Sequence, residues 1–360
     1  MLPRSGLFSR LFPRLFSGMS EDTRRKWRAF RRHRRGYYAL WMLGILLFVS
    51  LFAEFYANSK PLLIQYQGEY FFPIFFSYTE TQFGGDFDTD AEYQDPFLRD
   101  LITKDGNWAI YPLIEWDYKT INTRTELPNP APPTWTNLLG TDDRGRDVMA
   151  RLIYGFRLSM FFGLILAVIA TLFGITVGAI QGFLGGWVDL FGQRVLEVWS
   201  SMPELYLLII ISASITPTVT SMIIILSLFG WMGLSLYVRA EFLRARNFDY
   251  VKAARAMGVS TPSIIRKHLL PNTLVPIVTF FPFRVSGAIV GLTALDFLGL
   301  GLQPPEPSLG ELLEQAKGNL QAWWISLSTF AVLVLTVLLI TFIGEGLLQA
   351  FDPRRQTGAK

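Results

Sequence analysis

Chemistry in a protein chain needs residues that can hold a metal, attack an electrophile or move a proton, and this sequence is poor in all three. It has no cysteine and only two histidines, His33 and His268. Disulfides, thiolate metal sites, iron–sulfur clusters and cysteine nucleophiles are therefore excluded, and a histidine-built zinc site is not expected. No GxxxxGK[ST], HExxH or GxSxG pattern occurs, so ATP hydrolysis by a phosphate loop and the common hydrolase mechanisms are not expected on this chain. Carboxylates gather in DFDTDAEYQD, residues 86 to 95, but without the glycine and terminal glutamate spacing of a calcium loop, so they read as a solvated acidic face. LLGTDDRGRDVMARLIYGFRLS, residues 138 to 159, sets Gly140, Thr141, Asp142, Asp143, Arg144, Gly145, Arg146 and Asp147 on a turn. No activated nucleophile accompanies these carboxylates, and a charge-paired helix start accounts for them.

The remaining polar residues of interest stand alone in apolar runs. Arg284 is placed deep in an expected membrane span, where a charge costs ~2.5 kcal/mol or more and faces protein or water rather than lipid. It could line a substrate path together with Ser212 and Ser214 of another span, or make a structural or snorkelling contact with a second subunit. Glu204 and Glu345 lie nearer the span edges, as interfacial anchors.

One polar, basic island offers recognition instead of catalysis. Residues 249 to 272, DYVKAARAMGVSTPSIIRKHLLPN, read as helix, glycine, helix, proline. Tyr250, Ala253, Ala254 and Met257 fall on one helical face, with Lys252 and Arg255 off it. Gly258 stands where a helix end wants a positive φ. Thr261 before Pro262 reads as an N-cap with proline at the first helical position, Ile264, Ile265 and Leu269 mark the second helix, and Pro271 closes it. Two short helices with small-residue faces suit docking into a groove on a soluble partner.

The elements that must carry this island are membrane helices. With 51% hydrophobic and 17% charged residues over 360 positions, the chain is too apolar to be soluble unless much of it faces lipid. Residues 1 to 36 form a basic N-terminal tail, in which Arg10 and Arg14 interrupt any secretory-signal core. Met19 reads as an alternative start that would leave residues 1 to 18 dispensable. These charges hold the following apolar run with its N-terminus in the cytoplasm, in preference to forming a nucleic-acid-binding arm. That run, residues 37 to 57, is a first span. Residues 58 to 157 form an acidic, aromatic outside segment, with a stiff connector at Asn129, Pro130, Ala131, Pro132 and Pro133. The core, residues 158 to 348, holds five further spans: residues 159 to 182, 205 to 216, 218 to 238, 272 to 297 and 325 to 347. Gly163, Gly174 and Gly178 allow close packing in the first of these, GFLGGWVD at 182 to 189 reads as a tight turn, and Pro276 and Pro282 should bend the fourth. Six crossings put the loop 241 to 271 and the tail 349 to 360 inside and the acidic segment outside, each in agreement with the positive-inside rule.

The island's AARAMG core, followed by LLPN at residues 269 to 272, resembles the cytoplasmic Glu-Ala-Ala loop of permease subunits of ATP-binding-cassette importers. Lys252 occupies the glutamate position, a replacement common in the peptide-import branch, while Ala253, Ala254, Gly258 and Pro271 match. LLGTDDRGRDVMARLIYGFRLS and DFLGLGLQPPEPSLGELL resemble the same branch, the C-type permeases of dipeptide, oligopeptide and nickel importers. YQDPF in the acidic segment and GWMGLSLYVRAEFLRARNFDYVKAA are similar to the Yej-type permeases associated with peptide and microcin C uptake. The resemblance spans roughly residues 24 to 353.

It implies an all-α, type I importer fold with six transmembrane helices in the bacterial inner membrane, both termini cytoplasmic, and a periplasmic insertion between the first two helices. It implies a permease rather than an enzyme, with ATP and magnesium on separate ATPase subunits and no cofactor on this chain. The implied partners are a second homologous permease, ATPase subunits and a periplasmic substrate-binding protein, and no nucleic acid. Tyr250, Ala253, Ala254, Arg255, Ala256 and Gly258 would form a coupling helix seated in an ATPase groove. Gly258 would set the angle to the following helix and Pro271 would pass the motion to the fifth span, with Val259, Arg266 and Leu270 in the same coupling loop. A stand-alone ion-coupled transporter is the alternative, but Arg284 has the wrong sign to bind a cation. A membrane-anchored scaffold is a third.

Overall fold

The computed structural model describes residues 21–351 other than Glu126. The readings of residues 1 to 18 as a dispensable segment and of Arg354, Arg355 and Lys360 as part of an inside tail lie outside the described residues.

The chain enters through α1 (Glu21–Arg32), an amphipathic basic helix, and α2 (Arg34–Leu51), which continues past Phe52 as α3 (Ala53–Tyr56). His33 separates α1 from α2, and its Nδ1 caps α2 by accepting from the Gly36 N–H at 3.1 Å. The segment that follows corrects the all-α expectation. It contains β1 (Leu63–Tyr66), β2 (Glu69–Phe71), α4 (Pro96–Thr103) and β3 (Trp108–Ile110), the strands forming an antiparallel sheet in the order β2–β1–β3. The hairpin turns at Gln67 and Gly68, both at positive φ (51° and 86°), the backbone that a two-residue turn requires. Ile64 lies opposite Phe71 and packs into a core with Phe83, Tyr93, Leu98 and Ile102.

α5 (Val148–Leu184) is 37 residues long, so at ~1.5 Å per residue it exceeds a ~30 Å hydrocarbon core. It starts well before residue 159 because Asp147 caps it, accepting from the Ala150 N–H at 2.7 Å. The turn expected at 182 to 189 shrinks to Gly185, after which α6 (Gly186–Ser200) and α7 (Glu204–Ser214) meet at a 63° bend. Then come α8 (Val219–Gly230) and α9 (Met232–Ala245), which together make one apolar stretch, and the island with α10 (Asp249–Ala256) and α11 (Thr261–Ile264). A π turn (Ile265–Leu269) leads into α12 (Leu270–Phe297), followed by α13 (Leu309–Gly318) and α14 (Trp323–Phe351).

Among the described residues, four stretches are long and apolar enough to cross a membrane unaided: α5, Val219–Ala245, Val275–Phe297 and α14. The α6–α7 pair, bent by 63°, makes a fifth only if its two helices count as one broken span; α7 alone, with 11 residues, is too short. α2 is outside this set, since its first turn carries Arg34 and Arg35. Pro276 and Pro282 both lie inside the continuous α12.

Glycines decide how closely these helices approach. A Cβ on Gly174, Gly178 or Gly182 of α5 would come within 2.5–2.9 Å of Leu234, Ser235 or Arg239 of α9, and one on Gly163 within 2.7 Å of Ile289 of α12. The sheet-bearing segment is tied on through Tyr154, which donates to the Ala57 carbonyl at 2.9 Å, and Arg157, which grips Glu54 at 2.8 and 3.1 Å.

Within that segment Glu115 accepts from Arg99 at 2.8 and 3.1 Å and from Arg124 at 2.9 Å. Burial pushes its pKa up, but these bonds outweigh burial and hold it below its ordinary value of 4.5. A depressed carboxylate stabilises the fold above the unfolded-state pKa, and that stabilisation disappears as pH falls through the folded-state pKa. The stability difference between wild type and Glu115→Gln should therefore be full at neutral pH and shrink below about pH 4.5. Tryptophan fluorescence from Trp108 and Trp116 followed through acid titration measures it, and a pH-independent difference contradicts the assignment.

Candidate coupling site

The island hangs beneath the ends of α5 and α9. Val251 and Ala254 on α10, Ile264 on α11 and Leu269 on the π turn are all buried, in one cluster with Ala179 and Phe183 of α5, Leu234, Val238, Phe242 and Ala245 of α9, and Ile277 of α12. Val259, Ile265 and Leu270 pack against it, partly buried. Arg255 lays its guanidinium 4.6 Å from the centre of the Phe183 ring, a cation–π contact. Lys252 is exposed, 3.7 Å from Asp249.

α10 ends in a two-bond cap. The Gly258 N–H donates to the Arg255 carbonyl at 3.0 Å and the Val259 N–H to the Ala254 carbonyl at 3.1 Å, with Gly258 at φ 77°, the Schellman arrangement with its apolar residue just past the glycine. A Cβ at Gly258 would meet nothing within 4 Å, so the demand for glycine is conformational and not steric.

Three details differ from the sequence reading. Tyr250, Ala253, Ala254 and Met257 do not share one environment: Ala254 turns inward with Val251, while Tyr250, Ala253, Ala256 and Met257 face out, Met257 at 75% exposure. The reason is that α10 is apolar on two sides, and the cluster under α5 and α9 takes the Val251 side. The residue before α11 is Ser260, not Thr261, and its side chain makes no capping bond. Pro271 does not close a helix; it sits exposed in the first turn of α12. The missing proline N–H is absorbed by the π turn, in which the Leu270 N–H reaches back to Ile265. The island thus runs into α12 without a break, with Arg266 on its exposed side.

At the other end of α5, about 55 Å away along the helix, the charged motif builds a second centre. Asp142 accepts from the Arg144 and Arg146 N–H groups at 3.0 and 2.8 Å and from the Arg146 Nε at 2.7 Å. Arg146 and Arg151 both reach Glu311 on α13, at 3.2 and 2.5 Å, and all four side chains are at most 9% exposed. Gly140 and Gly145 hold the turn at φ 71° and 82°. Thr141 accepts from the Ala131 N–H at 2.8 Å, and Asp147 accepts from Asn137 at 2.7 Å as well as capping α5. The sequence reading missed Arg151, Glu311 and Asp296, which accepts from the Leu302 N–H at 2.7 Å and from Ser308. The Ser308-Leu309-Gly310-Glu311 spacing of a capping box was the available signal. Two charges of each sign cancel, leaving a fastening and no reactive group.

Arg284 donates to the Gly230 carbonyl at 2.7 Å, at the break between α8 and α9. Ser212 and Ser214 bond to the Leu208 and Ile210 carbonyls of their own helix, at 2.6 and 3.1 Å.

Residues 170–357 match the family model described as binding-protein-dependent transport system inner membrane component, a stretch that contains the whole island. The chain belongs to this family. Its relatives include the peptidoglycan transport system permease protein YejE of Agrobacterium fabrum, 46% identical over 93% of this chain and 94% of that protein. The inner membrane ABC transporter permease protein YejE of Escherichia coli is 47% identical over 94% of this chain and 99% of that one. The dipeptide transport system permease protein DppC of Bacillus subtilis is 35% identical over 62% and 70%. In this family setting the chain is a helical, polytopic membrane permease.

Gly258→Ala should destabilise the end of α10 by about 1–2 kcal/mol, and Gly258→Asn by less, because only the left-handed backbone is at stake. Hydrogen exchange of the amides from 251 to 259 reads this out as faster local opening, and equal protection in Gly258→Ala and wild type contradicts it.

Proposed function

We propose that this chain is the transmembrane permease subunit of an ATP-driven importer of peptides or peptide-like compounds, compounds of the microcin C type among them. The relatives' names, dipeptide and peptidoglycan transport, support that substrate class. In this reading α2 is a sixth crossing, both termini are cytoplasmic, and the sheet-bearing segment lies on the periplasmic side. A second homologous permease completes the pathway, ATPase subunits carry ATP and magnesium, and a periplasmic binding protein delivers substrate.

The observation that carries the proposal is the two-sidedness of α10. Val251 and Ala254 bolt it to α5 and α9, while Tyr250, Ala253 and Met257 offer an apolar face that is exposed in the described chain. Such a face fits the groove of a soluble partner. A stand-alone transporter would leave it exposed without use. When the ATPase pair closes on ATP, the face moves with it, and the buried side of the island passes the displacement to α5, α9 and α12. The cavity then opens outward, and hydrolysis reverses the tilt. Arg284 steadies the α8–α9 break through Gly230 in this scheme.

Met257→Asp places a charge on the outward face without touching the buried cluster. It should leave membrane insertion intact, reduce co-purification of the ATPase subunit by tenfold or more, by a hot-spot loss of about 2 kcal/mol, and abolish uptake. Ala254→Glu should instead disrupt this chain's own packing and lower its yield. Normal uptake with Met257→Asp, or peptide uptake by the purified chain alone in proteoliposomes, removes the coupling assignment.

A further inference from the structure

At the junction of α1 and α2 lies a cavity of about 510 Å³ lined by Ala29, Arg32, His33, Arg34, Arg35 and Gln349. We infer that it is a binding site for the phosphodiester head group of an anionic phospholipid, with the acyl chains running along α2.

Three independent observations lead there. The first is charge: three guanidiniums line the cavity, and no carboxylate is among its described lining residues. His33 adds a donor, because its Nδ1 is occupied by the Gly36 N–H and a neutral ring must then carry its proton on Nε2. Guanidinium groups match phosphate oxygens in bidentate geometry.

The second is construction. The cavity is held open by a built corner between the two ends of the described chain. Phe30 is buried against Gly346, where an added Cβ would come within 2.7 Å of its ring. Gly36 lets α2 approach α14 so closely that a Cβ there would stand 2.7 Å from the Phe342 carbonyl. Lys26 lies 5.0 Å from the Phe351 ring centre, closing the corner on the far side.

The third is the surface that leaves the cavity. Tyr38, Met42 and Ile45 of α2, one helical stripe, are 66%, 44% and 59% exposed. They lead from the arginines into the apolar part of the helix. A soluble phosphate would use the first feature only, whereas a phospholipid uses the head-group cavity and the stripe together. Basic pockets at the membrane surface take anionic head groups on this principle. The inference needs neither a substrate nor a direction of transport.

Native mass spectrometry of the full chain in detergent tests it, with phosphatidylglycerol, phosphatidylethanolamine and inorganic phosphate as probes. Wild type should retain phosphatidylglycerol about tenfold better than phosphatidylethanolamine. Arg32→Gln/Arg35→Gln should bring the two lipids to parity, while Arg25→Gln/Arg28→Gln, which removes the same charge outside the cavity, should change retention by less than about twofold. Equal loss in both variants would mean diffuse attraction to a basic helix and would overturn the site. Displacement of the lipid by millimolar inorganic phosphate would assign the cavity to a soluble anion and overturn it too. Because the variants could insert poorly, photoactivatable phosphatidylglycerol on the wild-type chain gives a second reading. Crosslinks should fall on residues 29 to 45 and 349, and crosslinks confined to other helices contradict the inference.

Discussion

The approach of α5 to α9 sets the positions of most other elements in the described chain. Gly174, Gly178 and Gly182 recur every four residues along one stripe of α5, and any side chain there would overlap α9, in two of the three cases at its backbone carbonyls. Close backbone contact brings Ala179 and Phe183 beside Val238 and Phe242, and their combined surface is the floor on which the island is built. In lipid the two helices gain nothing from burying apolar surface against each other, so tight packing of this kind has to hold them. The ion pair between Asp189 of α6 and Arg239 of α9, with one bond at 2.7 Å, fastens the same corner from its edge.

Two fastenings of opposite chemistry follow, one at each end of α5. At one end the cluster under the island is apolar and fixes Val251, Ala254, Ile264 and Leu269. At the other, Asp142, Arg146, Arg151 and Glu311 form a compact set of buried charges that locks the start of α5 to α13. Removing one member of such a set is expensive because it strands the others, by roughly 3–5 kcal/mol. A helix gripped at both ends transmits a push applied at one of them, which is what a permease driven from below needs.

Local features of the sequence foretold local structure well. Asp147 as a helix start, the glycine spacing of α5 and Gly258 as a helix end all appear as their chemistry dictates. What was not legible depends on partners far along the chain. Arg151 and Glu311 are 160 residues apart, so neither carries a signal that it will meet the other. Which side of α10 would face in could not be read from its own residues, because Val251 and Tyr250 are both apolar and only α5 and α9 decide between them. Pro271 suggested a stop, yet the π turn before it lets the helix continue. The β hairpin escaped notice because Gln67-Gly68 is a weaker turn signal than asparagine-glycine.

The central claim is that the outward face of α10 meets a soluble subunit on the cytoplasmic side of the membrane. With no native cysteine in the chain, a single Met257→Cys substitution gives a clean probe for a membrane-impermeant maleimide. The account predicts no labelling in intact spheroplasts, full labelling after permeabilisation of cells lacking the ATPase subunit, and protection when that subunit is present. Labelling from outside in intact spheroplasts would place α10 on the wrong side of the membrane and contradict it.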